Sequence, residues 1–164
     1  MDSKDLLLTA NRQCADLTFP MLDDLADIPL QTAAKDGNHA HWILGHLLLS
    51  ESGFRAMMEG TPNPRETLRP LFGAGTVPDA TGNGYPPYAD LLKQLRAAHL
   101  ETTAWIETLT EAELDQPGKA VPPGFEAFFG TWRQILLMRS LHWMTHRGQL
   151  ADCRKAAGRS PLMI

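Results

Sequence analysis

Apolar residues recur at three- and four-residue spacings in four stretches of the chain, the period of an amphipathic helix rather than a strand. The first stretch runs from about Ser3 to about Asp27, with Leu6, Leu7, Ala10, Cys14, Leu17 and Met21 on one face. Pro20 within it is expected to kink the helix or end its first half. A second helix is predicted from near Asn38, a good N-cap residue type, to Glu59, where Gly60 stops it. A third covers about Tyr88 to Leu109, and a short helical turn is plausible at Glu111–Leu114. The fourth runs from about Thr131 to Ala157, opened by the Gly130-Thr131 capping signal and closed by Gly158. No stretch alternates apolar and polar residues, and no internal repeat is visible. The pattern predicts an all-α fold: a four-helix bundle spanning residues 1–164 as a single domain. Its irregular part is the long connection between helices 2 and 3, "GTPNPRETLRPLFGAGTVPDATGNGYPP". A connection of that length is expected to be functional or disordered.

Composition narrows the classes. Hydrophobic residues make up 43% and charged residues 21%, as in ordinary globular proteins. The formal net charge is −4 with no lysine- or arginine-rich block, which argues against a nucleic-acid partner. No segment reaches the roughly 18 apolar residues of a membrane span. The opening "MDSKDLLLTANRQC" lacks the apolar core of a secretory signal. Two cysteines, Cys14 and Cys153, make no disulfide framework, so a reducing, cytoplasmic setting is expected.

The candidate chemistry lies in the histidines. On a wheel of about 100° per residue, Trp132, Ile135, Arg139, His142, His146, Gln149 and Cys153 share one stripe of the fourth helix. The apolar members turn that stripe inward. His142 and His146 therefore stand one turn apart in the interior, about 5–6 Å between neighbours, a spacing at which two imidazoles can share a metal. On the second helix, Trp42, Ile43, His46, Ser50, Gly53, Phe54 and Met57 form the inward stripe, with His46 near its centre. Three nitrogen ligands with one open position is the pattern of catalytic zinc, and nickel, iron and cobalt also accept imidazole. The competing reading is three separate core histidines, each with a local hydrogen bond; unshared, they would cost several kcal/mol.

Other residues have two readings each. His39 lies two turns before His46, about 10 Å along the axis, too far to share an ion. It either lines the pocket mouth or touches solvent or the long loop. His41 points outward on the wheel, and His99 has no companion; both read as surface or structural. Arg139 is inward and needs an anion, either a substrate carboxylate or thiol adduct, or an acid on the first or third helix. Gln149 is a candidate hydrogen-bond partner for a ligand histidine. Ser50 and His39 join Arg139 and Gln149 as substrate-pocket candidates. Glu51 falls opposite the His46 stripe and reads as solvated. Cys153 is too far from His146 to join the ion, and Cys14 could join it only if it came close. The "GAG" and "GNG" pairs are not a phosphate loop, since no lysine follows and no strand precedes.

The stretches "HWILGHLLLSE" and "HWMTHRGQLADCRKAAGRSP", with "GTWRQILLMRSLHWMTHRGQL" as the most specific part, resemble the DinB-like (YfiT-like) superfamily. "YPPYADLL" at the start of the third helix also fits. The resemblance implies a four-helix bundle with three histidines around a divalent metal, here His46, His142 and His146. It implies no DNA chemistry. Characterised branches of the family carry out metal-assisted reactions of low-molecular-weight thiols, including transferases that use bacillithiol or mycothiol and a thiol-dependent maleylpyruvate isomerase. The expectation is a metal-dependent thiol S-transferase acting on a small electrophile, with the thiol ionised by coordination. Alternatives are a hydrolase using metal-activated water, a non-catalytic metal- or small-molecule-binding stress protein, and a structural homodimer with three core histidines. Because ligation needs neutral imidazoles, affinity is expected to fall below about pH 6.5.

A second stripe on the fourth helix, Leu137, Leu141, Met144 and Gly148, has 4, 3, 4 spacing like a helix–helix seam. It packs either within its own chain or against a second protomer. The resemblance also implies dimers, and a homodimer is expected.

Overall fold

The computed structural model describes residues 2–162. Four long helices dominate: α1 (Ser3–Asp24), α2 (Ala40–Glu59), α4 (Tyr88–Thr108) and α6 (Trp132–Ala156), with two one-turn helices, α3 (Arg69–Phe72) and α5 (Glu126–Phe129). The turn expected at Glu111–Leu114 is a 3₁₀ turn at Glu113–Asp115, and another lies at Glu66–Leu68. The described residues contain isolated bridges but no strand, so the fold is all-α.

The helix ends follow from local chemistry. The Asp2 side chain accepts from the Asp5 amide to cap α1. Pro20 does not break this helix. Its missing N–H would have served the carbonyl of Asp16, and both residues are exposed, so water takes that bond. His39, rather than Asn38, caps α2 by accepting from the Trp42 amide, and Gly60 ends it at φ 70°. Thr131 and Gln134 form a reciprocal capping box at the start of α6.

Around the bundle, α1 lies between α4 and α6, and α2 lies between the same two helices. The side-chain contacts fix their directions. Arg133 reaches Ser3 and Arg154 reaches Asp24, so α1 and α6 run parallel. Asn11 meets Thr103 and Arg96 meets Asp23, so α4 runs against α1. With α4 opposed to α1, and α2 starting where α1 ends, α2 and α4 are parallel neighbours. This explains the long connection. The chain leaves the far end of α2 and must return along a helix of 20 residues, about 30 Å, before α4 can begin. The crossover 60–87 is therefore an ordered strap along α2.

Helix α2 holds that strap with its own side chains. His39 Nε2 donates to the Asp79 carbonyl at 2.9 Å, and His41 Nε2 to that of Pro86 at 2.9 Å. Trp42 Nε1 donates to Thr76 Oγ1 at 2.9 Å, and His46 Nδ1 to the Phe72 carbonyl at 2.7 Å. Above Gly45 the Phe72 ring lies so close that a Cβ on that residue would sit 2.5 Å from its atoms.

Candidate metal centre

Three imidazoles converge where α2 meets α6. His46 Nε2 and His146 Nε2 each lie 3.1 Å from His142 Nε2. All three ligand atoms fall within 4.8 Å of one another. The i,i+4 spacing on α6 supplies two of them, and the inward stripe of α2 supplies the third.

The hydrogen bonds behind the rings fix two tautomers. The Phe72 carbonyl can only accept, so His46 carries its proton on Nδ1. His146 Nδ1 donates to Gln149 Oε1 at 2.9 Å, and Asn38 Nδ2 donates to the same oxygen at 3.1 Å. His46 and His146 therefore present Nε2 lone pairs to the shared point, the usual preparation of a ligand histidine. Trp42 stacks on His46 at 4.8 Å, and Phe54 meets His142 edge-on at 5.6 Å. His142 Nδ1 is buried with no hydrogen-bond partner among the described residues.

This donor set fits a divalent cation. Two lone pairs aimed at a third nitrogen in a buried site are unfavourable by themselves, and a shared cation relieves them. Tetrahedral zinc with bonds of about 2.05 Å separates its nitrogens by about 3.3 Å, close to the 3.1 Å found here. Burial, reinforced by the neighbouring rings, pushes His142 down to about 3. Burial, with His46 adding to it, pushes His146 down to about 4. Burial also holds His46 below its ordinary value. His142 and His146 thus stay neutral well below pH 6.5, and proton competition in the folded site begins lower than unperturbed histidines suggest.

A cavity of about 410 Å³ opens beside His46, between α2 and the strap. Leu49, Phe54 and Met57 give it an apolar wall, while Ser50 and Asn63 supply polar groups. Glu66 is its one carboxylate, and Arg69 holds it ionised, below the usual carboxylate range.

The remaining candidates separate. Ser50 borders this cavity, and Gln149 is the partner of His146. His39 is the α2 cap and is committed to the strap, and it does not line the cavity. Arg139 is not a substrate clamp. It is buried and paired at 2.5 Å with Glu51 of α2, not with an acid of the first or third long helix, and its other hydrogen-bond partners are Asn11 and His99. Glu51 is correspondingly not solvated: it accepts from Arg139 and from Trp143 Nε1. Nor does His41 point outward. It is buried, as is His99. Cys14 lies beside Arg139 and donates to the Asn11 carbonyl; burial raises its thiol to about 11. Cys153 bonds the Asn38 carbonyl, and neither thiol is part of the histidine cluster.

Sequence reasoning did not place Phe72 or Asn38 behind the histidine cluster, where they act on the rings from outside the helical stripes. The one signal was Gly45 beside His46, since a glycine inside a helix often marks a close neighbour.

A search of curated proteins returns no match to the chain. A family profile described as the DinB superfamily matches residues 10–150, a span holding all three converging histidines, the whole of α2 and most of α6, and the chain belongs to that superfamily.

Proposed function

We propose that His46, His142 and His146 hold one divalent metal ion, and that the protein is a metal-dependent enzyme joining a low-molecular-weight thiol to a small electrophile. The observation that carries this reading is the convergence of three Nε2 atoms, two of them with lone pairs fixed by acceptors behind the ring. When bound, the ion would supply Lewis acidity that ionises a coordinated thiol near neutral pH. The histidines hold the site neutral, and the apolar wall of Leu49, Phe54 and Met57 excludes water and seats the electrophile. A sulfur–carbon bond forms as the leaving group departs with its electron pair, and the thiol proton passes to solvent.

Hydrolysis is the weaker alternative, because it calls for a general base beside the reacting water. The cavity's one carboxylate, Glu66, is tied to Arg69 and held at low proton affinity. Zinc, nickel and iron all suit the donor set. We read the chain as one domain acting in a reducing compartment such as the cytoplasm. No described helix is long and apolar enough to cross a membrane.

We also propose a homodimer. Leu137, Leu141 and Met144 are 47%, 49% and 37% exposed, and nothing lies within 4 Å of the position where Gly148 would carry a Cβ. Its own chain leaves this stripe about half exposed, and a second copy is the partner it suits.

Elemental analysis tests the metal. About one divalent ion per chain is expected, with a large drop in His142→Ala; equal content in both proteins would refute the assignment. Turnover of thiols with chlorinated or epoxide electrophiles by the metal-loaded protein separates an enzyme from a metal-binding protein without activity.

A further inference from the structure

The strap 60–87 makes one hydrogen bond to the candidate centre among the described residues, through the carbonyl oxygen of Phe72, which accepts from His46 Nδ1 at 2.7 Å. That carbonyl is placed by packing. The Phe72 ring is fully buried and lies on Gly45, where a Cβ would meet three of its atoms at 2.5–2.6 Å. No side chain larger than hydrogen fits between the helix and the ring. Tyr85, from the far end of the strap, packs on the other part of the ring at 4.6 Å. On either side of Phe72, Leu71 and Gly73 present carbonyls to Thr76 Oγ1, which in turn accepts from Trp42 Nε1. Trp42 is the ring stacked on His46. Two paths therefore run from the strap to one imidazole, one to its Nδ1 and one to its face.

We infer that Gly45 and Phe72 form a latch that positions His46 as a ligand, so that docking of the strap and binding of the metal are one coupled equilibrium. This rests on the metal reading above. The chain of causes is local. Gly45 admits the ring; the ring sets the carbonyl; the carbonyl keeps the proton on Nδ1 and leaves Nε2 free for the ion. Partners of this kind are worth about 10- to 100-fold in metal affinity. Coupling is reciprocal, so an ion that favours the docked strap must be favoured by it equally.

The test is a double-mutant cycle read by cobalt(II) titration of the apoprotein, followed by visible absorption, with folding checked by circular dichroism. Gly45→Ala should weaken binding by about 10- to 100-fold, because the added methyl displaces the ring. Phe72→Ala should weaken it similarly by unmooring the carbonyl. The double variant should lose no more than the worse single, since the methyl then occupies the emptied ring site. Leu114→Ala, in the separate core cluster around Trp132 and Ile135, should lower the melting temperature without changing affinity. Cobalt binding by Gly45→Ala at wild-type strength, or losses that multiply in the double variant, would overturn the latch. A wild-type protein that binds no metal would overturn the metal reading instead. A second measurement needs no variant: chymotryptic cleavage after Phe72 in the wild type should slow several-fold on adding metal, while an unchanged rate would overturn the coupling.

Discussion

The Glu51–Arg139 pair makes the sharpest stability prediction. Each side chain is 1% exposed, and the nitrogen–oxygen distance is 2.5 Å. Glu51 also takes the Trp143 indole N–H at 3.1 Å, and Trp143 adjoins His142 in the sequence. Glu51→Ala would strand a permanently charged guanidinium on Asn11 and on His99 Nδ1, which stays an acceptor because burial and the nearby Arg139 push His99 down to about 4. Arg139 Nε already has no partner among the described residues. Breaking a buried pair in this way costs about 3–5 kcal/mol. A groove of about 300 Å³ borders Glu51 and would let water reach the guanidinium, which favours the lower figure. About 3 kcal/mol is a large share of a typical stability of about 5–15 kcal/mol, and it corresponds to a melting-temperature drop of about 6–12 °C at this chain length. Urea denaturation followed by circular dichroism measures it, with an unchanged slope expected. Glu51→Gln keeps an acceptor but no charge and should lose at least about 2 kcal/mol. Replacing both partners, Glu51→Leu with Arg139→Met, should restore most of the loss. A Glu51→Ala loss below about 1 kcal/mol would refute the claim that charge pairing holds Arg139 in the interior.

Three further outcomes follow from the same structure. Gln149→Ala removes the acceptor behind His146 and should weaken metal binding by about 10- to 100-fold at nearly unchanged melting temperature, as cobalt titration would show. The apoprotein should lose stability as pH falls from about 6.5 toward 4, because the unfolded chain protonates histidines near 6.5, while folding holds His99 and His146 down at about 4 and His142 at about 3; chemical denaturation at pH 7, 5.5 and 4.5 checks the sign, and a flat profile would contradict it. Leu141→Glu, at a half-exposed position, should fold normally and sediment as a monomer where the wild type sediments as a dimer, and a variant that still dimerises would place the seam elsewhere.

The four long helices were legible because each carries a wide apolar stripe and chemically clear ends: Gly60, the Thr131 capping box and Gly158 all act where the residue types foretold. The inward placement of His46 and His146 was legible for the same reason, and the i,i+4 step brought His142 with them. Glu51 and His41 were misread because a wheel assumes that a helix has an outside. Helix α2 lacks one over much of its length: α4, α6 and the strap cover it, and every residue from Ala40 to Leu49 is buried. A charged residue there must find a partner, and nothing in the local spacing names Arg139 as that partner. The course of the strap was not legible, for a topological reason. Its proline- and glycine-rich composition signals a loop, but its length is set by the parallel run of α2 and α4, a long-range fact.

Burial alone would not have singled out the candidate metal ligands, since five of the six histidines are buried and His142 is partly so. What separates them is what each ring nitrogen already serves. His39 accepts an amide at Nδ1 and donates to a carbonyl at Nε2, so neither nitrogen is free. His41 gives its Nε2 proton to Pro86, and a ring that donates there has no lone pair at that atom. His99 divides its two nitrogens between Arg139 and Thr103. His46 and His146 reverse the pattern: Nδ1 makes the hydrogen bond, and Nε2 is left as a bare acceptor. His142 Nε2 then meets two acceptors at once, and a single proton on it can satisfy only one of them. While its rings are neutral the cluster is thus at least one donor short, and a cation at its centre would serve all three nitrogens. The same reasoning explains why the strap lies where it does. Three histidines of α2 hold backbone carbonyls of one crossover, and only the third, His46, makes that bond through Nδ1. That difference turns a loop anchor into a candidate ligand.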